Sequence, residues 1–273
     1  MPERDEYFLG YRQVEQERLQ RQAQELADES RDYFARIGIG AGQRVVELGC
    51  GPQGCLDILA GLVGPSGRVV GVERGDESVG LARRLVADRA LENVEVVHGD
   101  ARATGLPRGA FDGVTARLVL VNVPRPEEIV GESVALARPG GFVALHEGDW
   151  GAHIVDPPLP AWDDFAVLFD RYARANEMDL CVGRRLPRML REAGLVDVQV
   201  RPFVHVYPPG HGRRTIYLEF VANLRDRLLA QRLITDRALE EMESALRRHL
   251  DDPGTLVLSH LFVQAWGRKP AHP

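Results

Sequence analysis

Two kinds of hydrophobic spacing divide this 273-residue chain. Between residues 11 and 37 the apolar positions Val14, Leu19, Leu26, Tyr33 and Phe34 recur among Gln, Glu and Arg at close to the helical period. That predicts one or two leading amphipathic helices with a single core-facing side. From Arg44 onward, short β-branched runs are separated by helical stretches, the pattern of βαβ units around a parallel sheet. Strands are expected at 44–48, 68–72, 94–97, 113–117 and 142–146, with connecting helices near 55–62, 77–89 and 126–137 and Pro and Gly marking the joins. Beyond 146 the strict alternation stops. Helices are expected at 161–175 and 185–193, a strand at 196–200, and a last strand-like run at 255–266.

Between those last two runs lies 207–252, which opens on the turn-rich Pro208-Pro209-Gly210-His211-Gly212 and continues as two amphipathic stretches. A structureless connection of that length is uncommon inside a compact domain, so a helical cap or dimerisation element is expected there. The resulting division is an N-terminal helical lid at 1–40 and a cofactor-binding core at 41–206 with a helical insertion at about 151–180. A helical cap or oligomerisation insertion follows at 207–254, then a closing strand and tail at 255–273.

Composition narrows the function classes. A chain that is 44% hydrophobic and 27% charged is ordinary for a globular protein. Its net charge of −6 lacks the clustered cations that neutralise a phosphate backbone, which argues against nucleic acid and favours a small-molecule partner. There is no apolar run of about 18 residues, and the chain opens on the acidic Met1-Pro2-Glu3-Arg4-Asp5-Glu6, where a signal peptide needs basic residues and then an apolar stretch. A soluble cytoplasmic protein with no membrane association is expected. Cys50, Cys55 and Cys181 have no paired spacing, so neither a disulfide framework nor a metal site is expected.

The chemistry concentrates where the first strand ends, in Glu47-Leu48-Gly49-Cys50-Gly51-Pro52-Gln53-Gly54. A parallel sheet binds ligands at the carboxyl ends of its strands, where strand order reverses. Glycines let the backbone turn sharply and approach a ligand. The amides opening the next helix are expected to face an anionic group, here a methionyl carboxylate. The literal G-x-G-x-x-G spacing of Gly49, Gly51 and Gly54 suits a dinucleotide equally well. So does Glu73 at the end of the second strand, placed to accept from ribose hydroxyls. Two features favour S-adenosylmethionine (SAM): Glu47 would repel a pyrophosphate but hold an ammonium, and Asp100 with the backbone amide of Ala101 can read an adenine amino edge.

These residues resemble the class I SAM-dependent methyltransferases of the small-molecule, bacterial natural-product branch. The resemblance continues through Phe111-Asp112-Gly113-Val114, Ala116-Arg117-Leu118-Val119-Leu120, Pro124-Arg125-Pro126 and Ala137-Arg138-Pro139-Gly140-Gly141. It extends to Glu147-Gly148-Asp149-Trp150 and the closing Leu261-Phe262-Val263-Gln264-Ala265-Trp266-Gly267, and so covers about 7–269. Tyr7-Phe8-Leu9-Gly10 and Glu17-Arg18-Leu19-Gln20-Arg21-Gln22 are similar to the family's helical lid. The resemblance implies an α/β fold with a Rossmann-like doubly wound sheet of seven strands, the last antiparallel. It also implies an N-terminal lid and a helical insertion before the last strand. SAM would lie on Glu47, Gly49, Cys50, Gly51, Glu73, Asp100, Ala101 and Arg117, in a protein of secondary metabolism; the 207–254 element makes a homodimer the expected assembly. Where the family's amine-modifying members carry an Asn/Asp-Pro-Pro-aromatic box, this chain has Ala116-Arg117-Leu118-Val119, which removes nucleobase amines as expected acceptors.

Methyl transfer from a sulfonium is largely a matter of alignment, so no fixed catalytic signature is required. His146, Glu147 and Asp149, at the end of the fifth strand, are the candidates for a base or an orienting group. Each could equally serve a structural hydrogen bond. Arg117 is expected to pair either with the SAM carboxylate or with Glu147. His153, His205, Tyr207 and His211 could line an acceptor pocket, and Tyr7 and Tyr11 could close over the cofactor. Cys50 and Cys55 are expected to contribute packing, not a reactive thiol. The leading reading is transfer of a methyl group to an O, N or C atom of a small metabolite. A NAD(P)-dependent oxidoreductase and a SAM-binding protein without transferase activity remain as alternatives.

Overall fold

The computed structural model describes residues 13–271. The chain enters through two helices, α1 (Gln13–Glu25) and α2 (Ala27–Ile37). It then alternates β1 (Arg44–Leu48), α3 (Leu56–Val63), β2 (Arg68–Glu73), α4 (Asp76–Asp88), β3 (Val94–His98), β4 (Phe111–Arg117), α5 (Pro126–Leu136) and β5 (Ala137–Asp149). Strands β1 to β5 pair in parallel. After Arg44 every residue of β1 is buried, because helices cover both faces of the sheet; that is why the strand reads as an apolar run and not as an alternation.

The remaining elements are β6 (Val155–Asp156), α6 (Pro160–Ala175), α7 (Val182–Glu192), β7 (Val196–Phe203), α8 (Ile216–Ala230), α9 (Asp236–Asp251), β8 (Leu256–Val257) and β9 (Leu261–Arg268). The large sheet has seven strands in the order β3-β2-β1-β4-β5-β9-β7. Strand β9 inserts between β5 and β7 and runs antiparallel to both. This is the Rossmann-like doubly wound architecture expected above, its last strand antiparallel. Order reverses between β1 and β4, so their connections diverge and open a crevice at the strand ends.

Several boundaries differ from the sequence reading. Strand β5 spans 13 residues, not five: it is paired to β4 from Phe111↔Ala137, and β9 continues the ladder from Phe142↔Arg268 to Asp149↔Leu261. The expected strand at 255–266 is divided at Leu258–His260, since β8 leaves the main sheet to pair with β6. No helix among the described residues is long and apolar enough to cross a membrane.

Helices α8 and α9 are secured from within. Thr235 caps α9 by accepting from the Ala238 N–H, and Leu239, Met242, Leu246 and Leu250 face inward. Arg214, 3% exposed, donates to the carbonyls of Leu250, Tyr207, Asp252 and Thr255, gathering both ends of the segment around one guanidinium. Helix α1 leans on this unit. Its Arg18 holds Glu15 in a bidentate pair and lies over the Phe220 ring at 5.2 Å, while Arg21 reaches Glu219 at 3.2 Å.

Candidate active site

The ends of β1, β2, β3 and β4, roofed by α1, enclose a cleft of about 1090 Å³, open mouth included. The floor begins at Gly49, with φ +64°, where an added Cβ would stand 2.6 Å from the Val119 side chain. At Gly51, with φ +57°, the same atom would meet nothing within 4 Å, so the bare backbone faces open space. Only glycine combines this left-handed backbone with such an approach. Cys50, between them, is buried, and burial pushes its thiol and that of Cys55 up, the latter to about 12. Both are packing residues, as the sequence suggested.

Three carboxylates stand at three adjacent strand ends, and all three line the cleft. Glu47, 1% exposed, accepts the Cys55 N–H on both oxygens at 2.9 Å. Burial pushes it up to about 7 in spite of the nearby Arg117 guanidinium. Glu73 accepts the N–H groups of Gly51 at 2.9 Å and Gly75 at 2.8 Å, and thereby sets the glycine loop against the start of α4. Asp100 accepts the Arg102 N–H at 2.8 Å and pairs with that residue's guanidinium at 2.6 Å, which holds its carboxyl below the ordinary range. Ala101 lies beside it on the wall.

These contacts correct one expectation. The amides opening α3 do not await an anion: the Cys55 N–H belongs to Glu47, and the Leu56 N–H to the Gln53 carbonyl. A pyrophosphate would find an acid in place of free donors. The positive charge at this end is Arg117, which donates to the Ser30 hydroxyl at 2.9 Å and the Gly54 carbonyl at 3.0 Å. Glu147, its other expected partner, faces elsewhere.

Of the three acceptor-side candidates, Glu147 is fully buried and accepts the N–H groups of Val119 at 2.8 Å, Leu120 at 2.7 Å and Val121 at 3.3 Å, while burial pushes it up to about 7. Asp149, also fully buried, takes the Arg184 guanidinium in a bidentate pair and the Gly151 N–H at 3.1 Å. His146 is 2% exposed among Tyr33, Phe203 and Phe262, and both its ring nitrogens lack a partner among the described residues. None of the three lines the cofactor cleft. Period-two alternation along β5 turns His146 toward α2 and Glu147 toward the turn after β4.

Among the later candidates, His153 contacts the Trp150 carbonyl at 2.7 Å, His205 meets Glu29 at 3.1 Å, and Tyr207 is buried. His211 caps the single helical turn Gly212–Thr215 by accepting the Arg213 N–H. Tyr7 and Tyr11 lie outside the described residues. Sequence reasoning missed Gln16 and Ser78. The Gln16 side-chain amide oxygen accepts from the Ser78 hydroxyl at 2.9 Å, and its buried Nε2, on the cleft wall, has no partner among the described residues. One glutamine in a helix rich in glutamine carries no distinguishing signal.

The family description "Methyltransferase domain" matches residues 46–145, the stretch from β1 to β5 that builds this cleft. A demethylmenaquinone methyltransferase of Anoxybacillus flavithermus is 30% identical over 190 residues, covering 63% of this chain and 78% of that protein. Among solved structures, the YcgJ protein of Bacillus subtilis aligns with a TM-score of 0.60 at 16% identity, covering 89% of this chain and 99% of that one. The phosphoethanolamine N-methyltransferase 2 of Haemonchus contortus, solved with S-adenosyl-L-methionine, aligns with a TM-score of 0.59 at 17% identity; the match covers 89% of this chain and 52% of that chain. With its fold, its cleft and these relatives, the chain belongs to the class I SAM-dependent methyltransferases.

Proposed function

We propose that the cleft holds SAM with Glu47 and Arg117 at the methionyl end, Glu73 at the ribose hydroxyls, and Asp100 with the Ala101 amide at the adenine. Gly49, Cys50 and Gly51 would form the floor. The observation that carries this reading is the order of Glu47, Glu73 and Asp100 across β1, β2 and β3, one acid for each part of an extended nucleoside. The fit is supported by the Gln16 Nε2 on the same wall, a buried donor with no acceptor among the described residues. When bound, the sulfonium supplies an already activated methyl group. The chain then has to align, desolvate and, where the acceptor carries a proton, take it up. Glu147 and Asp149 have spent their oxygens on Val119–Val121 and Arg184, so His146, a neutral imidazole with no partner among the described residues, is the group of that trio we assign to orienting the acceptor by a hydrogen bond.

The acceptor is proposed to be a small molecule methylated on O, N or C, in the cytoplasm and in secondary metabolism. Support comes from the acidic net charge and from the small-molecule acceptor in the relative's name, demethylmenaquinone. The test is calorimetry with S-adenosylhomocysteine (SAH), SAM and NAD, joined to SAH release over a metabolite panel. SAH and SAM are expected to bind and NAD not to. His146→Phe is expected to lower turnover with SAH affinity retained. Tight NAD binding, or undiminished turnover in the variant, would sink the assignment.

Homodimer formation is also proposed, supported by the exposed Ile154, Val204, Val206 and Leu256 around β6 and β8. Val206→Glu should shift the sedimentation coefficient from dimer to monomer. A monomeric wild type would remove the proposal.

A further inference from the structure

Of the buried side-chain atoms that have no hydrogen-bond partner among the described residues, Gln16 Nε2 alone belongs to a residue lining the cleft. Gln16 comes from α1. Along that helix Gln16, Leu19, Gln22 and Ala23 recur at helical spacing and turn one face onto the cleft, while Gln13 and Gln24 are exposed. Depth is what separates Gln16 from the other glutamines of the helix: its side chain is 2% exposed.

The amide is held from two sides. Its oxygen accepts the hydroxyl of Ser78 at 2.9 Å, and Ser78, itself 2% exposed, stands in the first turn of α4. That helix starts just past Glu73, whose carboxylate takes the Gly75 N–H at the same junction, so the bond to Ser78 fixes Gln16 at the β2 end of the cleft. From behind, α1 is fastened to α8. Glu15 pairs with Arg18 and accepts from Asn223 at 3.3 Å, Arg18 lies over the Phe220 ring, and Arg21 reaches Glu219. The donor is therefore positioned before a ligand arrives, which lowers what binding must spend on ordering it. A buried donor left without an acceptor loses its hydration and gains nothing in return, and folded proteins rarely keep one unless a ligand or water completes it.

An amide nitrogen only donates, so its partner is an acceptor. At the methionyl end Arg117 already supplies a donor, and at the adenine the Ala101 amide does. The ribose is different: Glu73 only accepts there. A hydroxyl both donates and accepts, and one that gives its hydrogen to Glu73 keeps lone pairs that a cleft shut off from water has to satisfy. Resting on the assignment of the cleft to SAM, we infer that Gln16 is a cofactor-binding residue carried by the roof helix, its Nε2 donating to a ribose hydroxyl oxygen whose hydrogen Glu73 accepts. Helix α1 then reads the sugar from above, and Ser78 is the positioning residue that keeps the amide turned toward it.

A double-mutant cycle between protein and ligand decides, read by displacement calorimetry with SAH and with its 2′,3′-dideoxy analogue. Gln16→Met keeps the length of the side chain and removes both polar atoms. The variant is expected to bind SAH about fivefold more weakly than wild type, and the dideoxy analogue with the same affinity within about twofold. Ser78→Ala leaves Nε2 in place but frees the amide to turn, and should cost about threefold with SAH and nothing with the analogue; it carries the test if the Gln16 variant does not fold. Undiminished SAH binding, or an equal loss with both ligands as a purely structural role would give, would overturn the inference and leave ordered water as the partner of Nε2. Failure of the wild type to bind SAH would instead overturn the cofactor assignment beneath it.

Discussion

The cleft and the buried cluster around Phe203 and Phe262 are built on different principles. On the cofactor side, the groups that shape the cleft come from strand ends and tight loops, and the polar atoms are largely satisfied by backbone: Glu47 by Cys55, Glu73 by Gly51 and Gly75, Asp100 by Arg102. Around Phe203 and Phe262, the polar groups are side chains far apart in sequence, buried among aromatic rings and without a partner among the described residues. A backbone-completed site is preorganised and indifferent to most of the surrounding sequence.

The contrast is broken most severely by Glu73→Ala. It removes the acceptor for two loop amides and for the ribose hydroxyls together, and SAH affinity is expected to fall about 100-fold, or ~2.7 kcal/mol. A loss under about threefold in calorimetry would show that the cleft is not organised by its acids.

Acidification sharpens the difference. Burial holds His260 down to about 3 and His146 well below its ordinary value, so both stay neutral in the folded chain while the unfolded chain takes up protons near pH 6.5. Their stabilising contribution is present above that pH and lost as pH falls through it toward the folded value. Glu47 and Glu147, raised to about 7, act in the opposite direction between about 4.5 and 7. The informative quantity is therefore a difference between chains. His260→Phe should lose about 1.4 kcal/mol less stability than wild type between pH 7.5 and 5.5 in urea titrations. Equal losses would mean that His260 is not held neutral.

The smallest effect probes Glu47. A protonated carboxyl cannot neutralise an ammonium, so SAH should bind the ionised form, and binding near neutrality should release a proton. Affinity is expected to rise about threefold from pH 6.5 to 7.5. A flat profile, with the same heat in buffers of different ionisation enthalpy, would separate Glu47 from the ammonium.

Much of the parallel half was legible in the chain. Arg44–Leu48 needed no correction, and β2 to β4 and α3 to α5 differ from their expected spans by one or two residues. In this half the strands are short apolar runs and the turns carry glycine or proline. The antiparallel half was read less well. The extension of β5 to Asp149 and the division of 255–266 depend on which strand stands alongside, and local composition does not encode that. Within the site, Glu47, Glu73 and Asp100 could be found because each sits at a fixed offset from a strand end. Gln16, Arg213 and His260 could not, since nothing near them in sequence distinguishes them from surface residues.

The strands, the glycine turn and the three acids of the cleft could be read from the chain alone, because those are properties of segments and of their local hydrogen bonds. Which of the acids and histidines keep a partner among the described residues was settled by how the layers pack. That packing gave the oxygens of Glu147 to the turn after β4 and those of Asp149 to Arg184, and it brought His146, His205 and His260 together around one aromatic pair. Whether a buried polar atom is spent or available depends on what the rest of the chain places within hydrogen-bond distance, and that is fixed only when the layers close.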